Sequence, residues 1–356
     1  MTDLTGAQAL PPRRTAIKAG LAVGLAGLFL PALTACTPED RPGTVTVAGG
    51  EPGGFYLEFA TLLAESLQRH GVAGNATALT TGGSLDNLEH LVTGQATFAV
   101  ALADAAAQRL GADSTSSVGI TALGRVYENY VHCVVRKDSG IRDFTDLAGR
   151  TVAIGEPGSG TSLTTPRLIE AAGLSSAALA AGSGAAPGAA TGAATGAAEK
   201  TVTEKTVTVL NLGLNEGLAA LQDGSVDALF WSGGVPTAAI AASNRTAGLG
   251  FLDLSALIPS TRRQYGPFYD RVLIPEGAYE GIPAVWTVGV ANLLLCRNDL
   301  DDSTVKRTVE LLVGHAEELI PRSSMGVQFL SPESLINTAG LPLHPAAAAA
   351  YRDLHG

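Results

Sequence analysis

Lysine is scarce in this chain, with 5 residues against 18 arginines, and bases are outnumbered by acids, 23 to 33, for a net charge of -10. No Lys/Arg-rich run offers phosphates a landing surface, so the sequence argues against a nucleic-acid partner. Only 16% of residues are charged and 46% are apolar, which excludes whole-chain disorder and leaves enough material for a real core. Catalytic and metal-binding patterns are also missing. None of the histidines, His70, His90, His132, His315, His344 and His355, is paired in a His-Glu-x-x-His helix, and no Cys-x-x-Cys occurs, so no metal or cofactor is expected. No Gly-x-Ser-x-Gly nucleophile elbow surrounds Ser84, Ser159 or Ser162. Gly155-Glu-Pro-Gly-Ser-Gly160-Thr161-Ser162 has the glycine spacing of a phosphate-binding loop, but Thr161 stands where the phosphate-reaching lysine belongs.

The amino-terminal segment predicts export. Arg13, Arg14 and Lys18 precede an uncharged stretch of 17 residues from Ala19 to Ala35, and Cys36 follows. A basic region, an apolar region and small residues before a cysteine make a signal peptide over residues 1–35. Leu33-Thr-Ala-Cys36 resembles a lipobox, in which Cys36 is lipidated and becomes the new terminus. The acyl chains would hold the protein to the outer face of the cytoplasmic membrane without a spanning helix. Pro12-Arg13-Arg14-Thr15-Ala16-Ile17-Lys18 is similar to a twin-arginine signal except at Ala16, so export by Sec or Tat stays open. Cleavage leaves 32 acidic and 20 basic residues. Residues 36–43 read as a tether. Cys133 and Cys296 sit in apolar, strand-like runs that favour buried thiols over a disulfide.

Past the tether, strand and helix patterns alternate. Thr44–Ala48, Ala76–Thr80, Phe98–Leu102, Tyr130–Arg136, Thr151–Ile154, Val207–Leu210, Val226–Trp231 and Thr287–Cys296 read as strands. Helices are expected over Phe55–His70, Leu85–Thr93, Ser162–Ala172, Asn215–Leu221 and Ser303–Leu319. The alternation implies parallel sheets flanked by helices. Residues 182–198 are all Gly, Ala, Ser, Thr or Pro, a composition that cannot offset its ordering entropy and reads as a disordered surface insert.

Three glycine-rich loops each follow a strand and open a helix: Gly49–Gly54, Thr81–Ser84 and Gly155–Thr161. Backbone N–H groups at a helix start can hold a carboxylate without a side-chain cation, and Ser84, Ser159 and Thr161 add hydroxyls there. Any one loop is explained by helix capping alone. Three together point to a shared cleft at the carboxyl ends of the strands. Arg125 and Arg136 could each face an anion, although a solvated arginine is the plainer reading.

Gly53-Gly-Phe-Tyr56, Thr81-Gly-Gly-Ser84-Leu-Asp-Asn87, Gly158-Ser-Gly-Thr161, Asp223-Gly-Ser-Val-Asp227 and Gly234-Val-Pro236 occur in one order. In this the chain resembles the TAXI family of solute-binding proteins that serve TRAP transporters, from about Val45 to Leu319. The family usually shows Tyr-Tyr where Phe55-Tyr56 stands. The resemblance implies an α/β, two-lobed periplasmic-binding-protein-like (type II) fold, each lobe a mixed sheet flanked by helices. The expected organisation is lobe I over 44–130, lobe II over 131–255 with the insert, a return to lobe I over 256–330, and a tail over 331–356. Val131–Arg136 and Thr287–Cys296 are the expected crossings between lobes.

The resemblance also implies a non-enzymatic lipoprotein that captures a small carboxylate, such as glutamate or a dicarboxylate, and delivers it to a TRAP membrane permease. The implied contacts are Gly53, Gly54, Tyr56, Gly83, Ser84, Asn87, Ser159, Gly160 and Thr161, with Asp104 and Trp231 as secondary candidates. Two alternatives stay open: a ligand-presenting subunit for a sensor kinase or ABC importer, and an anchored hydrolase using Ser84 or Ser159.

Overall fold

A computed structural model describes residues 43–112, 119–178, 205–322 and 330–355. The signal peptide, Cys36 and the insert over 182–198 lie outside the described residues. The described chain runs β1 (Thr44–Ala48), α1 (Phe55–Arg69), β2 (Asn75–Leu79), α2 (Ser84–Val92), β3 (Phe98–Leu102), α3 (Ala103–Ala112), β4 (Ile120–Arg136), β5 (Thr151–Ala153), α4 (Gly160–Ala171), β6 (Ser175–Ala178), β7 (Thr206–Leu210), α5 (Leu214–Asp223), β8 (Ala228–Gly233), α6 (Ala238–Ala247), β9 (Leu249–Phe251), α7 (Ile258–Tyr265), β10 (Tyr269–Ile274), β11 (Val285–Arg297), α8 (Asp302–Gly314), α9 (Pro332–Leu335) and α10 (Pro345–His355).

The strands form one continuous mixed sheet in the order β2-β1-β3-β11-β4-β8-β5-β7-β6, with β10 added on β11 and β9 on β4. In lobe I, β2, β1 and β3 are parallel and β3 meets β11 antiparallel. In lobe II, β6, β7, β5 and β8 are parallel and β8 meets β4 antiparallel. β3, Phe-Ala-Val-Ala-Leu, is buried at every position, as a central strand covered on both faces must be. On α1, Phe55, Phe59, Leu63 and Leu67 recur at helical spacing and are buried against β1 and β3. Burying each such side chain stabilises the lobe by roughly 1.5–3 kcal/mol.

The two long strands join the lobes. β4 and β11 pair antiparallel from Ile120 opposite Arg297 to Tyr130 opposite Gly289. Two register shifts, at Asn292/Leu293 and Leu294/Leu295, are bulges that turn the sheet and re-aim side chains beside the cleft.

Three sequence expectations change here. The strand at Tyr130–Arg136 begins at Ile120, because Arg125, Glu128 and Asn129 interrupt the apolar run without interrupting the ladder. Val131–Arg136 is not the crossing, since it pairs with β8 and β9 inside lobe II; the sheet passes between lobes near Tyr127–Tyr130 opposite Gly289–Asn292. The helix expected over Ser303–Leu319 ends at Gly314, and a 3-10 turn, Ala316–Leu319, follows His315 at φ -131°. Cys133 and Cys296 are buried free thiols. Burial pushes both thiols up, Cys296 to about 12.

Candidate functional site

The loops after β1, β2 and β5 meet between the lobes and enclose a cavity of about 30 Å³. It is lined from lobe I by Gly50, Glu51, Gly54, Phe55, Tyr56, Gly82, Gly83, Ser84 and Leu102, and from lobe II by Ser159, Gly160, Thr161, Trp231, Ser232 and Gly233, with Asn129 of β4 between them. The N-termini of α1, α2 and α4 all reach this cavity.

Those three helix starts are differently occupied. α2 is capped across the cleft: Leu85 N–H and Asp86 N–H donate to the Gly158 carbonyl at 2.8 and 3.2 Å. α4 is capped by its own Ser159, whose Oγ accepts from Ser162 N–H at 3.0 Å. α1 starts at Gly54 with no side-chain cap. The first-turn donors of α1 and α4 therefore have the geometry to meet an anion.

Close approach depends on glycine. A Cβ on Gly160 would lie 2.5 Å from Leu102 Cδ1 and 2.9 Å from Ser84 Oγ, and Gly83 at φ +120° sits 3.3 Å from the Ser159 Cα by the same construction. A side chain at either position would hold the two lobes apart. The Trp231 indole donates to Thr237 Oγ1 at 3.1 Å, and its ring packs over Gly54.

Hydroxyls and amides supply the polar lining. Tyr56 Oη lies 3.2 Å from Ser84 Oγ and donates to Asn292 Oδ1. Ser84 Oγ accepts from Leu102 N–H at 3.1 Å, and Thr161 Oγ1 accepts from Ser232 N–H at 3.0 Å. Thr161 so engaged still has a proton to offer, and the Ser84 proton faces Tyr56 Oη. Burial raises the Tyr56 phenol well above its ordinary value, so it stays neutral. Asn129 Nδ2 donates to the Ser232 carbonyl at 3.1 Å. Three buried polar atoms here lack a partner: Glu51 Oε1, Asn129 Oδ1 and Asn292 Nδ2. Glu51 Oε2 accepts from Leu214 N–H at 2.9 Å, tying the first loop to α5 of lobe II. Burial raises the Glu51 pKa, the Leu214 bond opposes this, and Glu156 and Glu216 raise it further.

Of the residues expected from sequence, Gly54, Tyr56, Gly83, Ser84, Ser159, Gly160, Thr161 and Trp231 line the cavity. Gly53, Asn87 and Asp104 do not. Gly53 adopts φ +82° with nothing near its Cβ position, so it serves the turn. The Asn87 amide is consumed by the Gly49 and Val100 carbonyls and the Thr81 hydroxyl. Asp104 Oδ2 takes Arg167, Tyr269 and Thr164 at 2.9, 3.0 and 3.2 Å. Arg125 pairs with Glu128 and Arg136 with the Leu221 and Val226 carbonyls, and neither lines the cavity. Sequence reasoning missed Glu51, Asn129 and Asn292. Glu51 lay within the first glycine loop and could have been found there, whereas the two asparagines lay within apolar strands with no local signal.

The architecture is similar to that of the periplasmic binding protein BugD, with a TM-score of 0.51 at 14% identity, covering 88% of this chain and 94% of that one. The periplasmic aliphatic sulphonate binding protein SsuA from Escherichia coli has a TM-score of 0.42 at 16% identity, with 88% and 79% covered. The likeness to BugD shows the two-lobed fold of a periplasmic binding protein. The model of the NMT1-like family matches residues 47–195 and 184–354, which include both glycine-loop lobes and the crossing strands, and the chain belongs to the NMT1-like family.

Proposed function

We propose that this protein captures a small amino-acid-like carboxylate in the cavity between its lobes and delivers it to a TRAP-type permease, held outside the cell by lipid on Cys36. The observation that carries the reading is one small cavity that brings helix starts from both lobes together with two unpartnered buried polar atoms of its lining, Glu51 Oε1 and Asn129 Oδ1. Buried polar groups are normally satisfied, and a ligand with matching groups would satisfy these. The carboxylate falls to the first-turn N–H groups of α1 and α4 with the Ser84 and Thr161 hydroxyls. Since no lysine or arginine lines the cavity among the described residues, anion binding rests on backbone dipoles. Glu51 supplies the opposite charge for an ammonium. The motifs shared with the TAXI family support the TRAP assignment. Binding is favoured over hydrolysis because, among the described residues, no histidine lines the cavity to deprotonate Ser84 or Ser159.

The test is a thermal-shift screen of the mature chain against amino acids, dicarboxylates, keto acids and sugars after refolding to strip carried-over ligand. A ligand at 100 times its Kd adds roughly 2.7 kcal/mol. Amino acids should shift the melt, and Gly160→Ala should weaken them about 10- to 100-fold, the overpacking range of 1–3 kcal/mol. Glu51→Gln should weaken an amino acid more than the matching ammonium-free acid. A shift by sugars alone would defeat the carboxylate assignment.

A further inference from the structure

We propose that His70, His315 and Glu318 form a binding site for a divalent transition-metal ion of the zinc class at the end of lobe I away from the cavity. His70 follows α1 and His315 follows α8, so both imidazoles extend from helix ends fixed by backbone bonds to Ser66 and Leu311. Glu318 lies in the 3-10 turn after His315. One donor atom from each of the three lies within 4.8 Å of the others. The rings are stacked, 3.7 Å between centroids and 25° between planes. Both rings present a nitrogen to one carboxylate oxygen: Glu318 Oε1 is 3.0 Å from His70 Nε2 and 3.7 Å from His315 Nδ1. Tetrahedral ligands at about 2.0–2.2 Å from zinc stand roughly 3.4 Å apart, a separation those two distances bracket.

The other carboxylate oxygen is engaged. Glu318 Oε2 accepts from Ser66 Oγ at 2.8 Å and from Arg69 and lies 3.1 Å from His70 Nε2, contacts that orient the carboxylate with Oε1 toward both rings. Arg69 is half exposed and lies on the Oε2 side, where water screens it from an ion at Oε1. Side chains a quarter to two-fifths exposed leave room for a water as fourth ligand. Sequence spacing hides this group, because His70 is remote from the His315-x-x-Glu318 pair. Helix α1 has 15 residues, which puts the site about 20 Å from Tyr56. An ion there would clip α1, α8 and the 3-10 turn together without occupying the cavity.

The experiment uses the untagged full chain, stripped with chelator and titrated calorimetrically with Zn²⁺. One ion should bind per chain, and Zn²⁺ at 100 times its Kd should raise Tm by roughly 4 °C. Both effects should be lost in His315→Ala and in Glu318→Gln, the second keeping polar contacts to Ser66 and His70. In the wild-type protein, Cu²⁺ should broaden the His70 and His315 imidazole resonances before those of the other histidines, a readout that needs no variant. Absence of stoichiometric binding, retention of Zn²⁺ affinity in both variants, or uniform broadening of all histidines overturns the proposal.

Discussion

The lobes meet through side chains at the cavity and again at Asp104, and the two places treat their carboxylates differently. At Asp104, the carboxylate from the first turn of α3 is fully buried and draws Arg167 and Thr164 of α4 and Tyr269 of β10 onto one oxygen, leaving Oδ1 without a partner. In the cavity, Glu51 Oε1 and Asn129 Oδ1 are likewise buried with nothing to bond, and no cation stands among the described lining residues. One carboxylate is neutralised by the protein's own cation, and the other is not. Opposite charges brought from both lobes make Asp104 a brace; under the proposed function the uncompensated Glu51 is part of a receptor.

The largest expected effect breaks the brace. Burial raises the Asp104 pKa and Arg167 opposes that, so removing the guanidinium strands an acid in a dry site. Arg167→Met should cost about 3–5 kcal/mol in urea unfolding, while Asp104→Leu with Arg167→Met should recover most of it, because a buried pair is replaced more cheaply than it is broken. A loss below about 1 kcal/mol in the single variant would mean that the contact behaves as a surface pair.

A somewhat smaller effect tests β4, the strand that carries Asn129 to the cavity. Burial raises Glu128 to about 7 from 4.5 despite Arg125 beside it, with Asp270 adding to the rise. Burial lowers His132, four residues on, to about 4 from 6.5, despite its bonds to the Tyr130 and Trp231 backbone. The folded state binds the Glu128 proton more tightly than the unfolded chain, so that stability is present below pH 4.5 and is lost as pH rises through 7. Folding excludes the His132 proton, so that stability is present above pH 6.5 and is lost as pH falls through 4. Each is on the order of 3 kcal/mol. Between pH 4.5 and 6.5 the two slopes oppose each other. Urea unfolding across that interval should show stability rising with pH in Glu128→Gln and falling with pH in His132→Gln. Equal profiles in both variants would locate the pH response elsewhere.

The glycine loops were legible because their chemistry is local: a strand, a turn needing positive φ, and a helix start all lie within a dozen residues. β1, β3 and α1 were legible for the same reason, their periodicity being carried by neighbours in sequence. Asp104 could be read only as a helix cap or a ligand contact, since its true partners Arg167 and Tyr269 lie 63 and 165 residues further along the chain. The first half of β4 was invisible because Arg125 and Glu128 satisfy each other inside the sheet, and a pattern search counts both as solvent-facing. Asn129 and Asn292 depend on the bulged register between β4 and β11, which no single strand encodes. Long-range pairing, then, explains what was missed in both fold and site.

The smallest effect on the free protein tests what the cavity lacks. Tyr56 Oη joins Ser84 of lobe I to Asn292 of β11, and Asn292 Nδ2 already has no partner. Tyr56→Phe strands Asn292 Oδ1 as well, which would cost about 1–3 kcal/mol in a dry site. The cavity of about 30 Å³ adjoins it, however, and a polar space of that size admits water. The free variant should therefore lose only about 1 kcal/mol, at the low end of that range. Its ligand response should fall further, because the water that rescues the free protein occupies the place the ligand needs. Melting wild type and variant with and without ligand separates the two. A large loss without ligand and an unchanged ligand shift would make Tyr56 part of the brace rather than the receptor.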